Sequence, residues 1–260
     1  MRKYFTDRTE LYHHGVLGQK WGVRRYQNYD GTRIKNNLPV VRDTNTVLAK
    51  YGTTSLSQLN SSSNNEDYSS LIEKHTATHK ITKMKQDFMD QSDLGKEVTI
   101  KQMNSQRGQY NCQACTAAFD VMMKTGYIFE IKGALDTARY EREEFMNKIY
   151  SNFTGFNIIE DSDSCTDFSK VLMTEYGNQN VWGRISLNTA GGSGHSMAFY
   201  TDNGRLKIVN SATRLEYTPE SFDDFFGDKF NWQSVQYTRT DDLTLSKEGI
   251  DYLAAVTQNK

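Results

Sequence analysis

Residues 194–210 read GHSMAFYTDNGRLKIVN. A strand's period of two puts His195, Met197 and Phe199 on one face, and Asp202, Asn203 and Gly204 supply a tight-turn signal. The chain then returns as RLKIVN, so the stretch predicts an antiparallel hairpin with Asn210, at the end of its second strand, brought near His195 at the start of its first. VWGRISL (181–187) before it and WQSVQYT (232–238) after it extend the same sheet.

Upstream the texture is helical. Cys115 to Thr125 aligns Ala118, Val121 and Met122 and stops at Gly126, a helix with a glycine cap. YIFEIK (127–132) is extended. ALDTARYEREEFMNKIYSNF (134–153) turns Ala134, Ala138, Phe145 and Ile149 one way, and CTDFSKVLMTEYG (165–177) is a further helix ending at Gly177. Helices first and an antiparallel sheet second make an α+β layout, placed in residues 98–240.

The remaining residues divide by composition. Residues 36–70 form a polar linker containing SLSQLNSSSNNEDYSS, and LIEKHTATHKITKMKQDFMDQ (71–91) reads as one helix within a connector spanning 71–97. His75 and His79 stand four apart there. Thr and Lys neighbours and the want of a third ligand make them solvated residues and not a metal pair. Residues 241–260 form a tail or helix, and residues 1–35 a largely non-globular basic arm. Residues 1–50 carry ten Lys and Arg against four Asp and Glu, leaving 21 against 28 in the rest. The arm is thus the part suited to an anionic partner.

At 260 residues, 37% hydrophobic and 12% aromatic, the chain has enough apolar side chain for a core. No apolar run reaches the ~18 residues that span a bilayer, and MRKYFTDRTELYHHG carries charges where a signal peptide is apolar, so no membrane partner is expected. The expected location is the cytoplasm, or a particle packaged from it. Two prolines and no repeat exclude solenoids and collagen-like arrays. Three cysteines make no disulfide framework.

QRGQYNCQACTAAFDVMM (106–123) carries the chemistry. A thiol becomes a nucleophile when a helix N-terminus or an imidazolium lowers its pKa, and here a helix starts at the Cys pair while His195 follows four small residues that leave room for a substrate. Asn210 is placed to orient the imidazole. Cys112 lies nearer the helix start and is the preferred nucleophile over Cys115. Two alternatives stand beside this. Cys112, Cys115 and Cys165 with His195 have the inventory of a Cys₃His zinc site, although a helical run follows the pair where zinc knuckles have turn glycines. Alternatively the cysteines are small buried hydrophobes and His195 a core histidine.

The order Cys, His, Asn resembles papain-fold cysteine hydrolases. YNCQACTAAFDVMMKTGY is similar to the Asn-Cys-x-x-Cys…Ala…Gly-Tyr signature of papain-fold toxin and glutamine-deamidase-like domains, found in bacterial polymorphic toxins and some phage head proteins. WGRISLNTAGGSGHSMAFYTDNGRLKIVNSAT resembles that family's Arg-bearing strand, Gly-His, hydrophobic strand and following strand, over roughly residues 98–218. Where the family has Asp-Pro-Gln this chain has Asn210, Ser211 and Ala212, a neutral amide in place of an anion. The resemblance implies a papain-like fold with Cys112 as nucleophile, His195 as base, Asn210 as orienter and Gln106, six residues before Cys112, in the oxyanion hole. The implied reaction is glutamine deamidation or peptide cleavage of a protein substrate, with no cofactor and no metal. A head-assembly protein that kept the fold and lost the chemistry is the rival from another class.

ELYHHGVLGQKWGVRRYQNYDGT (10–32) resembles a segment that recurs at the start of phage and prophage proteins of Gram-positive bacteria, often among head genes. It implies docking on a phage structural protein, in the host cytoplasm or on the virion. Its Arg-Arg pair among aromatics also suits nucleic acid, the less favoured partner. His13 and His14 then read as contact or solvent residues.

Overall fold

The computed structural model describes residues 68–260 except 109, 134–140, 161 and 178. The docking segment, most of the linker, and Ala134 and Ala138 of the expected second helix lie outside the described residues. The described residues all belong to one compact unit.

Helix α1 (Tyr68–Thr76) and strand β1 (Ile81–Lys83) come first, followed by a 3₁₀ turn (Phe88–Asp90) and α2 (Asp93–Met103). The single helix expected over 71–91 is therefore a two-turn helix, a strand and a turn. Its weak periodicity has this cause: Ile72 is buried from a helix whereas Ile81 is buried from a strand antiparallel to Tyr127–Phe129. Next are α3 (Cys112–Thr125), β2 (Tyr127–Phe129), α4 (Arg142–Ile149), β3 (Asn157–Ile159) and α5 (Cys165–Tyr176). Then follow β4 (Trp182–Thr189), β5 (Gly194–Asp202), β6 (Arg205–Asn210), β7 (Leu215–Tyr217), α6 (Pro219–Phe226), β8 (Phe230–Arg239) and α7 (Lys247–Ala255). The molecule mixes seven helices with antiparallel sheets among the described residues.

Six strands form the main sheet, in the order β3-β8-β4-β5-β6-β7, every neighbouring pair antiparallel. The hairpin turns at Asp202–Arg205, with Asn203 and Gly204 both at positive φ as that turn requires. One face of the sheet presents Ile185, Leu187, Met197, Phe199 and Tyr237 to Cys165, Phe168 and Leu172 of α5 and Phe222 of α6. The other face presents Ala198, Tyr200 and Val209 to α2 and α3.

Helix α3 starts at Cys112, three residues before the expected first residue, and ends on Gly126 in the left-handed conformation. Every residue from Gln113 to Met122 is buried. An amphipathic stripe is thus only half of the account. Phe119 and Met122 face the sheet, while Ala114, Ala117, Ala118 and Val121 pack with α1, α4 and α7 in a second core. Burial on all sides fixes the helix, and with it the residue at its start. Among the described residues, no helix is long and apolar enough to cross a membrane.

Candidate active site

The loop into α3 is pinned by side-chain amides. Asn104, fully buried, donates from Nδ2 to the Ser211 carbonyl (2.8 Å), while its Oδ1 accepts from Gly108 N–H (2.8 Å) and from Asn111 Nδ2 (3.1 Å). Asn111 Nδ2 also reaches the Lys132 carbonyl at 3.1 Å. A Cβ on Gly108 would lie 2.3 Å from the Gly133 carbonyl oxygen, so the close approach needs glycine. Arg107 and Tyr110 sit at φ 53° and 60°, backbone strain concentrated in the turn that delivers Cys112.

Asn111 occupies the N-cap position without a side-chain cap bond, and its carbonyl takes Cys115 N–H (3.0 Å). The N–H groups of the first turn, at Cys112, Gln113 and Ala114, thus have no intrahelical partner and carry the positive end of the helix.

The Cys112 thiol sits against the His195 imidazole and the Ser196 N–H. Burial raises its pKa; the hydrogen bond and charge of His195, the Ser196 N–H and the Arg184 guanidinium together bring it below that of an ordinary thiol. His195 Nε2 lies 3.1 Å from Asn210 Oδ1, which also accepts Ala212 N–H at 3.1 Å. An oxygen that accepts from Ala212 is an acceptor for His195 too, so Nε2 carries the ring proton and Nδ1 is left for the thiol. Asn210 is buried, and the His195 ring is stacked on Phe230, centroids 5.4 Å apart.

Cys115 has the opposite environment. It is buried in the core behind α3, and burial, reinforced by the neighbouring Cys112, drives its pKa far up. Cys165 lies in the other core under α5, its pKa also raised by burial, its N–H held by Asp223 Oδ1 at 2.8 Å. All three cysteines are free. Among the described residues, no group of three or more His, Cys, Asp or Glu could hold a metal ion, so the zinc inventory is not assembled. Of the upstream histidines, His75 meets Asp251 (2.9 Å) and His79 meets Thr78 (2.9 Å).

Gln106 is exposed. Its Oε1 accepts Gly133 N–H at 2.8 Å, which fixes the amide and leaves Nε2 as its donor.

Arg184 holds no role in the expectations from sequence. It is buried on β4 on the α3 side of the sheet and donates to Gln113 Oε1 (3.0 Å), Ser196 Oγ (2.7 Å) and Ser186 Oγ (3.1 Å). The first of these residues follows Cys112 and the second follows His195, so one guanidinium ties the thiol's helix to the imidazole's strand. No carboxylate forms an ion pair with it among the described residues. Burial lowers its pKa to about 10, which leaves it cationic at neutral pH. Its signal in the sequence is the lone charge in VWGRISL, an arginine where alternation calls for a buried side chain. Asn104 left no such mark.

No family model matches this chain, and no curated protein or solved structure matches it either.

Proposed function

We propose that residues 68–260 form a papain-like cysteine hydrolase that attacks an amide carbonyl. One observation carries this: a thiol at a helix start sits against an imidazole whose far nitrogen is held by a buried amide. His195 Nδ1 takes the Cys112 proton, and the thiolate attacks the carbonyl carbon. The oxyanion is met by N–H groups at the start of α3, with Gln106 Nε2 in the role the resemblance implies. Collapse expels ammonia from a glutamine side chain, or an amine from a peptide, protonated by His195. Water, deprotonated by the same ring, then cleaves the thioester. Asn210 keeps the tautomer that this sequence needs. The resemblance favours glutamine deamidation, and residues 10–32 then dock the enzyme on a phage structural protein; co-sedimentation with virions of the whole chain, but not of one lacking 1–35, is the expected outcome.

The decisive test is the pH dependence of iodoacetamide alkylation at each cysteine, read by mass spectrometry. Cys112 in the native protein is expected to alkylate with an apparent pKa below the ~8.5 of a free thiol, and His195→Ala to move it upward. Cys115 is expected to react only on unfolding. Ordinary titration of Cys112 in both proteins would leave a structural, head-assembly role in place of catalysis.

A further inference from the structure

Arg142 opens α4, and a cation in the first turn of a helix opposes the helix dipole. It is half-buried, and that burial lowers its pKa against the raising influence of Glu141 and of the Cys112 thiolate. Two costs to stability are therefore accepted at one side chain. No carboxylate forms an ion pair with it among the described residues. Instead two neutral amides hold it: Nη1 donates to Gln236 Oε1 (3.0 Å) and Nη2 to Asn188 Oδ1 (2.7 Å).

Those amides locate it. Asn188 pairs with Gly194 and Leu187 with His195 across β4 and β5, and a Cβ on Gly194 would stand 3.4 Å from Arg142 Nη2. The guanidinium is thus fixed beside the residue that precedes the catalytic imidazole, where Asn188 and Gly194 are exposed. Of its five N–H donors, two are used by the amides and three meet no acceptor among the described residues. A fork so held presents a flat pair of donors, the geometry that takes a carboxylate.

We propose that Arg142 is a specificity-determining residue that binds a carboxylate of the substrate next to the amide under attack. This rests on the hydrolase reading of Cys112 and His195. The carboxylate belongs either to an Asp or Glu side chain or to a chain end.

The test compares two small alkylating agents that differ in charge, iodoacetate and iodoacetamide, at Cys112 of the full-length protein. Both report thiolate formation, so their rate ratio cancels any change in thiol pKa and isolates attraction of the carboxylate. Arg142→Met is expected to lower the iodoacetate-to-iodoacetamide ratio by about fivefold, the size of one partly buried ion pair, and Arg142→Lys to keep most of it. An unchanged ratio in Arg142→Met overturns the proposal while His195-dependent iodoacetamide reactivity keeps the hydrolase reading. Loss of that His195 dependence in the parent protein overturns both. Should Arg142→Met fail to fold, Arg142→Gln takes its place under the same criterion. Protection of Cys112 from iodoacetamide by a capped peptide with an internal Glu, compared with a peptide carrying only a free C-terminus, tells the two carboxylate sources apart.

Discussion

Arg184 sets the electrostatics at the residue scale. Burying a guanidinium without a carboxylate is costly, and the group nearest to repaying that cost is a thiolate at Cys112. The two charges stabilise one another: the cation favours the thiolate, and the thiolate eases the buried cation. Arg184→Met replaces the cation with an apolar chain of similar reach, and should raise the Cys112 pKa by roughly half to one unit. The sign follows from charge alone, because removing a nearby cation disfavours the anionic form. The alkylation curve of the variant should move to higher pH and keep its shape, whereas Arg184→Lys should lie between it and the parent. Circular dichroism establishes that the variants are folded. A folded Arg184→Met protein whose Cys112 titrates as in the parent would reduce Arg184 to a packing residue.

Elements meet closely where glycine allows it, and Gly249 is such a case at a helix crossing. A Cβ there would stand 2.7 Å from both the Cα and the carbonyl oxygen of Ile149, the last residue of α4, so α7 crosses α4 backbone to backbone. Gly249→Ala has to push the helices apart, at a cost of about 1–3 kcal/mol. That corresponds to a fall in Tm of about 2–10 °C for a domain of this size, measurable by thermal melting. An unchanged Tm would show that the helices can slide apart freely. Gly249 gives no signal in the sequence, where KEGID reads as a helix with one tolerated glycine. The β5–β6 hairpin was legible because alternation, turn residues and return strand agreed over seventeen residues, and α5 because Gly177 ends it. Residues 71–91 were not legible. Three short elements share the stretch, and none is long enough to establish a period. At the site, Cys112, His195 and Asn210 were legible through order and local pattern. Arg142 and Asn104 were not, because each acts through partners remote in sequence, and Arg184 showed only as the lone charge in its strand.

The whole molecule is larger than the α+β block that alternation and periodicity outline. Residues 98–240 contain the sheet and the candidate catalytic residues, yet α3 is covered on its far side by Ile72 of α1, Ile81 of β1, and Leu245, Ile250 and Leu253 in or before α7. The last residues add a further layer of backbone pairing. Gln258 exchanges hydrogen bonds with Lys80 and Glu130, and Lys132 donates to the Val256 carbonyl, so the chain end clamps the segment whose Lys132 carbonyl holds Asn111 beside Cys112. Burying an aliphatic side chain contributes about 1.5–3 kcal/mol. Five such residues then amount to as much as the ~5–15 kcal/mol that separates a folded domain from its unfolded chain. A fragment of 98–240 should therefore be unfolded, without a cooperative urea transition and with Cys112 and Cys115 alkylated at equal rates. A fragment of 68–260 should unfold in one transition and keep the two cysteines distinct. If 98–240 alone melts cooperatively with Cys112 still activated, the outer helices are accessories, and the candidate site owes its geometry to the sheet and α3 alone.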